Sequence, residues 1–81
     1  MWYVYILLCA DNSLYTGIAK SPHERFVEHK NGKGGKYTRS HKPLKIKYLE
    51  KFSTKSAALK REFEIKSWPR AKKIQNLNLK I

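Results

Sequence analysis

Two tyrosines stand in one short, otherwise apolar stretch, MWYVYILLCADNSLYTG: Tyr5 in its first half, Tyr15 in its second. A phenol that leaves water needs a partner for its hydroxyl, so two in one small unit call for polar company from elsewhere in the chain. Arg25 and His29 offer some. Spaced i, i+4 on a helix, they share one stripe, away from Val27. They are either ordinary exposed basic residues or a guanidinium for a phosphate oxygen with an imidazole beside it for proton work. Glu62 is the third element. On a wheel of about 100° per residue with Ala58 at zero, Ile65 falls near −20°, Leu59 near 100° and Phe63 near 140°, and Glu62 falls inside that apolar arc at about 40°. A carboxylate on a buried stripe is costly unless it is paired or holds a metal. Spacing leaves both readings open, an ion pair with Lys66 or a functional carboxylate. Cleavage of a phosphodiester asks for a base, a cation against charge on the phosphorane, and a metal at the scissile group. Tyr5, Tyr15, Arg25, His29 and Glu62 supply a candidate for each role. One carboxylate, in place of a cluster, suits a single weakly held Mg²⁺ (or Mn²⁺) completed by water and substrate oxygens.

The elements that must position these groups can be read from patterning. Tyr3 to Leu8 is too apolar for a strand with a wet face, so the first strand is expected to be buried on both sides. Asp11-Asn12-Ser13 is turn chemistry, and Leu14 to Ile18 returns as a second strand. Ser21-Pro22-His23-Glu24 opens a helix, with Ser as cap, Pro at the first helical position and Glu reaching back; Asn31-Gly32 ends it. Residues 30–42 fit no period and read as a flexible basic loop closed by Pro43. Leu44 to Phe52 alternates as a third strand, with Leu44, Ile46, Tyr48 and Glu50 on one side. Ser53-Thr54 caps a helix to about Ser67, Trp68-Pro69 breaks it, and a short helix to about Leu77 leaves a tail expected to fray. The fold class is α+β: a three-stranded, largely antiparallel sheet flanked by three helices, in the order β-β-α-β-α-α.

Eighty-one residues make one domain, 1–81, which buries only about 60% of its unfolded surface. Eighteen Lys and Arg against six acids give a net charge of +12, an excess that points to a polyanionic partner. The basic residues are spread along the chain and do not form one amphipathic helix, which favours nucleic acid over a membrane surface. In the 30–42 loop, Lys33, Lys36, Tyr37 and Arg39 fit either a solvated segment or one that tracks a phosphate backbone. Cys9 is the one cysteine, which excludes an internal disulfide and a thiolate-rich zinc site and leaves a small buried hydrophobe. No signal peptide is expected, and the longest apolar run is too short for a bilayer, so the expected location is cytoplasmic.

Tyr3-Val4-Tyr5 and Tyr15-Thr16-Gly17 resemble the two half-motifs of the GIY-YIG nuclease superfamily. LYTGIAKSPHERFVEHKNGKGGKYTRSHKPL and ALKREFEIKSWPRAKK are similar to the small single-domain bacterial branch related to the UvrC amino-terminal domain. The resemblance covers nearly the whole chain. It implies a mixed sheet flanked by helices and hydrolysis of DNA at one divalent metal. Tyr5 then matches the base or nucleophile-activator, Tyr15 the second motif tyrosine, Arg25 the helix arginine, His29 the histidine a turn later and Glu62 the metal-binding glutamate. Asn76 falls where family members often add an asparagine. Tyr3 stands where the name-giving Gly would be, Thr16 replaces Ile, and Ile18 takes the place of a lysine that the repair relatives carry, with Lys20 two residues on.

The expectation is a Mg²⁺-dependent DNA endonuclease domain, with Lys20, Lys66 and Asn76 joining Lys33, Lys36, Tyr37 and Arg39 in holding nucleic acid. A binding module without turnover shares the basic charge but needs neither Glu62 nor Tyr5. An assembly factor docking through exposed aromatics onto a partner protein is the third reading.

Overall fold

The computed structural model describes residues 1–81. Trp2–Cys9 forms β1 and Leu14–Ala19 forms β2, joined by the Asp11-Asn12-Ser13 turn. Asp11 Oδ1 accepts from the Ser13 amide at 3.1 Å, and Asn12 takes a positive φ of 70°, the conformation short Asx side chains tolerate. Then come α1 (Pro22–Lys30), α2 (Lys36–Ser40), β3 (Pro43–Phe52), α3 (Lys55–Lys66) and α4 (Arg70–Asn76). The sheet order is β2-β1-β3 and both pairings are antiparallel. The expected architecture is therefore present, with one further helix of five residues inside the basic loop.

As the central strand, β1 is covered on both faces, as its unbroken apolar run requires: Val4, Tyr5, Ile6 and Leu7 are each 1% exposed or less. Alternation sends Val4 and Ile6 one way and Tyr5 and Leu7 the other. Val4 and Ile6 meet Ala58 and Ile65 of α3 and Leu79, with Phe52, Trp68 and Ile74 packed around them. Each such aliphatic side chain contributes on the order of 1.5–3 kcal/mol by leaving water. The opposite face, carrying Tyr5, lies under α1 and α2.

Four local expectations are corrected. Ser21 makes no side-chain cap; its carbonyl instead accepts from the Arg25 amide at 3.0 Å, and Pro22, which needs no donor partner, starts α1. On α3 the cap is made as expected, with Thr54 Oγ1 accepting from the Ala57 amide at 3.1 Å. Along β3 the register slips between Ile6↔Tyr48 and Leu7↔Ile46. Lys47 is thus an extra residue, and Ile46 and Tyr48 fall on opposite faces of the sheet. Leu59 and Phe63 of α3 are 44% and 79% exposed, because a three-stranded sheet meets only the narrow stripe of Ala58 and Ile65. The tail does not fray: Leu79 is buried in the core and its amide donates to the Ile74 carbonyl at 2.9 Å.

Candidate active site

Pairing places Tyr5 opposite Gly17 and Leu7 opposite Tyr15, so both phenols project from the face that α1 covers. Gly17 is there for space. A Cβ on it would stand 2.6 Å from the Tyr5 hydroxyl oxygen, inside van der Waals contact. Helix α1 brings His29 inward, 1% exposed, and the Tyr5 hydroxyl meets His29 Nε2 at 2.9 Å. The Tyr15 ring stands edge-on to the imidazole with centroids 5.1 Å apart, and Tyr5 and Tyr15 are 6.3 Å apart. The stripe inferred for Arg25 and His29 is real, and its exposed counterpart is Val27 at 54%. For His29 the reading as an ordinary exposed basic residue is overturned.

Arg25 is half-buried and held from two sides: Nη1 donates to Glu28 Oε1 at 3.1 Å and Nη2 to the Gly34 carbonyl at 3.0 Å. Of its roughly five donors, these fix the plane and leave others for an anion. A cleft of about 350 Å³ opens alongside, lined by Ala19, Lys20, Ser21, Glu24, Arg25 and Glu28. Lys20 lies in this cleft with its ammonium 5.4 Å from the Trp2 ring centre.

The electrostatics follow from burial. Desolvation pushes the Tyr5 phenol well above the ordinary tyrosine range; the neighbouring Tyr15 and the Glu62 charge add to this, while the Arg25 guanidinium opposes it. The phenol is therefore protonated at rest. Burial and the Arg25 charge lower the His29 value, so the imidazole is neutral and available as an acceptor. The pair is a buried phenol in hydrogen-bond contact with a neutral imidazole, and the imidazole tautomer decides which of the two donates.

Glu62 lies on α3, and its charge is felt weakly at the Tyr5 phenol. Its side chain is 17% exposed and Oε2 pairs with Lys66 Nζ at 3.1 Å. The i, i+4 pair is thus present, on a carboxylate largely withdrawn from solvent. No three His, Cys, Asp or Glu side chains gather at one point. A donor set of one carboxylate fits an ion such as Mg²⁺ that keeps most of its waters and takes substrate oxygens, and fits no all-protein cage.

The basic loop, expected to be flexible, packs in part against the site. Thr38, 3% exposed, brings Oγ1 to 2.7 Å from His29 Nδ1. Gly34 lies so close over the imidazole that any Cβ would collide with the ring. Tyr37 is stacked between Tyr15, at 5.5 Å, and His41, at 4.1 Å, and His41 in turn pairs with Asp11 of the β1–β2 turn. Hydrogen bonds from Ser13 and His41 hold the Asp11 carboxyl down at about 2. These contacts account for α2, which is too short to show a period. Lys36 and Arg39 of α2 and Lys33 before it are exposed, as are Lys66 on α3 and Asn76 on α4. Asn76 makes no side-chain hydrogen bond to the cluster. Sequence reasoning missed Thr38 and Gly34; nothing in their spacing relates them to His29.

Known proteins share this fold and sequence. Residues 1–76 match the GIY-YIG catalytic domain. A UPF0213 protein of Staphylococcus saprophyticus is 52% identical over 73 residues, 90% of this chain and 89% of that one. A UPF0213 protein of Staphylococcus epidermidis is 51% identical over the same shares. The solution NMR structure of a UPF0213 protein from Bacillus halodurans superposes with a TM-score of 0.62 at 40% identity, covering 96% of this chain and 84% of that one. Motif order, fold and the residues matched agree, and the chain belongs to the GIY-YIG family of nuclease-type catalytic domains.

Proposed function

We propose that the chain is a divalent-metal-dependent endonuclease that hydrolyses DNA phosphodiester bonds, with Mg²⁺ or Mn²⁺ as the ion. The observation that carries this reading is the 2.9 Å contact between the Tyr5 hydroxyl and a neutral, buried His29, with Arg25 beside it. As water attacks phosphorus, its proton passes to the phenol oxygen while the phenol proton passes to Nε2. The phenol need not ionise first, which its raised value would oppose. Arg25, already fixed by Glu28 and Gly34, neutralises charge on the phosphorane, and the half-buried Tyr15 helps to hold the phosphate. Glu62 would hold the ion, which supplies charge neutralisation at the scissile group. Lys20 in the cleft, the exposed Lys33, Lys36 and Arg39, and Lys66 and Asn76 give the duplex or strand its sequence-independent hold, with Tyr37 at the edge of the loop.

A second reading, a nucleic-acid-binding module without turnover, is favoured by one observation: Lys66 already neutralises the Glu62 carboxylate. Cleavage of labelled duplex, branched and single-stranded DNA with and without Mg²⁺ or Mn²⁺ separates the two. Metal-dependent product lost in Glu62→Ala and Tyr5→Phe is the expected result. Salt-sensitive binding with no product from any substrate establishes the module, and cleavage unchanged in both variants refutes the roles assigned to Glu62 and Tyr5.

A further inference from the structure

The His29 imidazole has two faces, and only one is used in the reaction above. Its Nδ1 points away from Tyr5 to Thr38 Oγ1, 2.7 Å away, in a position where both groups are closed to solvent. The Thr38 hydroxyl also lies 3.4 Å from the Gly35 carbonyl, an oxygen that can only accept. A hydroxyl has one proton. If it goes to Gly35, Oγ1 presents a lone pair to His29 and Nδ1 must carry the ring hydrogen; Nε2 is then bare and accepts from the Tyr5 phenol. In this arrangement every proton along the chain Tyr5–His29–Thr38–Gly35 has an acceptor. The opposite tautomer reverses each bond. Nε2–H would point at the phenol oxygen, and the Tyr5 proton would be buried with no acceptor, since the neighbouring Arg25 guanidinium can only donate.

We propose that Thr38 is a positioning residue that fixes the Nδ1–H tautomer of His29 and so keeps Nε2 as the acceptor for the Tyr5 proton. The ring cannot rotate out of this arrangement, because the Gly34 backbone packs against it and is itself held by Arg25. Desolvation and the Arg25 charge, which keep the imidazole neutral, ensure that a tautomer choice exists at all. Tyr15, edge-on to the ring, offers no competing hydrogen bond. The catalytic consequence rests on the nuclease reading; the tautomer does not.

The test has two readouts. Long-range ¹H–¹⁵N correlation spectra of the labelled protein at neutral pH report which ring nitrogen carries hydrogen, with His29 assigned against His23→Gln and His41→Gln variants. The expected result is Nδ1–H for His29 in the wild type and in Thr38→Ser, with conversion toward Nε2–H in Thr38→Val. In parallel, Thr38→Val lowers kcat by roughly 10²-fold at little change in KM, and Thr38→Ser restores it. Wild-type His29 found as Nε2–H overturns the proposal, even if Thr38→Val does not fold, and so does full activity in a folded Thr38→Val. The expected tautomers with no metal-dependent cleavage in any form would leave the placement of His29 standing and remove the nuclease reading instead.

Discussion

The two faces of the sheet each carry a buried or half-buried tyrosine among charged groups, and they are built to opposite ends. On the α3 face, the Tyr48 hydroxyl donates to Glu50 Oε1 at 2.7 Å, and Arg61 Nε donates to the same oxygen at 2.9 Å while Arg61 also reaches Glu64. Each charge there has an opposite partner, so the cluster is a strut beside the core. On the α1 face, Tyr5 meets a neutral imidazole, and Arg25 stands near it with one acidic partner at its outer edge. Burial raises both phenols; at Tyr48 the bonded Glu50 adds to this, whereas at Tyr5 the additions come from Tyr15 and Glu62. A tyrosine bonded to a carboxylate that an arginine already pairs has nowhere to send its proton usefully. One bonded to a neutral base and flanked by a cation does. The difference between a strut and a site is an unspent acceptor.

Removing the two hydroxyls should therefore have different effects. Tyr5→Phe is expected to lower cleavage by roughly 10²–10⁴-fold, whereas Tyr48→Phe should leave it within about twofold and lower stability by about 1 kcal/mol. Initial rates beside urea melts decide this, and equal losses of rate would erase the distinction between the faces. Next in size is the core itself: Ile65→Ala should cost about 2–5 kcal/mol in the same melts, with the folded fraction still cutting at the wild-type rate. Gly17→Ala, on the site's face, brings a Cβ to 2.6 Å from the Tyr5 oxygen. The strain should be about 1–3 kcal/mol, and the displaced phenol should lose rate as well, a combination Ile65→Ala lacks.

The smallest effect is on pH dependence. The folded-state value of His29 lies below its unfolded one, so the unfolded chain binds the proton more tightly. Its contribution to stability is present in full above about pH 6.5 and lost as pH falls through the lowered folded value. Urea midpoints measured from pH 7.5 down to pH 5 should fall, and His29→Gln should flatten the decline. An Arg61 variant leaves His29 and its surroundings untouched on the other face of the sheet, so it should keep the full slope.

Most of the fold was legible from local pattern. The unbroken apolar run of β1 requires burial on both faces, the Asx turn sets the β1–β2 hairpin, and Pro22, Gly32 and Thr54 mark helix ends through fixed backbone preferences. The i, i+4 stripe joined Arg25 to His29 because helical spacing is a local rule. Less was legible where a residue's environment comes from distant chain. Leu59 and Phe63 fit an apolar arc, yet sheet width, which no wheel contains, left them outside. A bulge at Lys47 reversed the facing of Ile46 relative to Tyr48.

The same division separates the residues of the site from their states. Residue type and order supplied Tyr5, Tyr15, Arg25, His29 and Glu62, since a phenol, a guanidinium, an imidazole and a carboxylate have fixed chemical capacities. Whether His29 is neutral, which nitrogen faces Tyr5, and whether the basic loop lies free or closes over the ring were decided only by folding. Those states depend on desolvation and on hydrogen-bond partners far along the chain: Thr38 and Gly34 reach His29 through a loop whose composition reads as solvent-facing. Local chemistry is written residue by residue; protonation and tautomer belong to the packed environment, and that forms only when the chain is assembled.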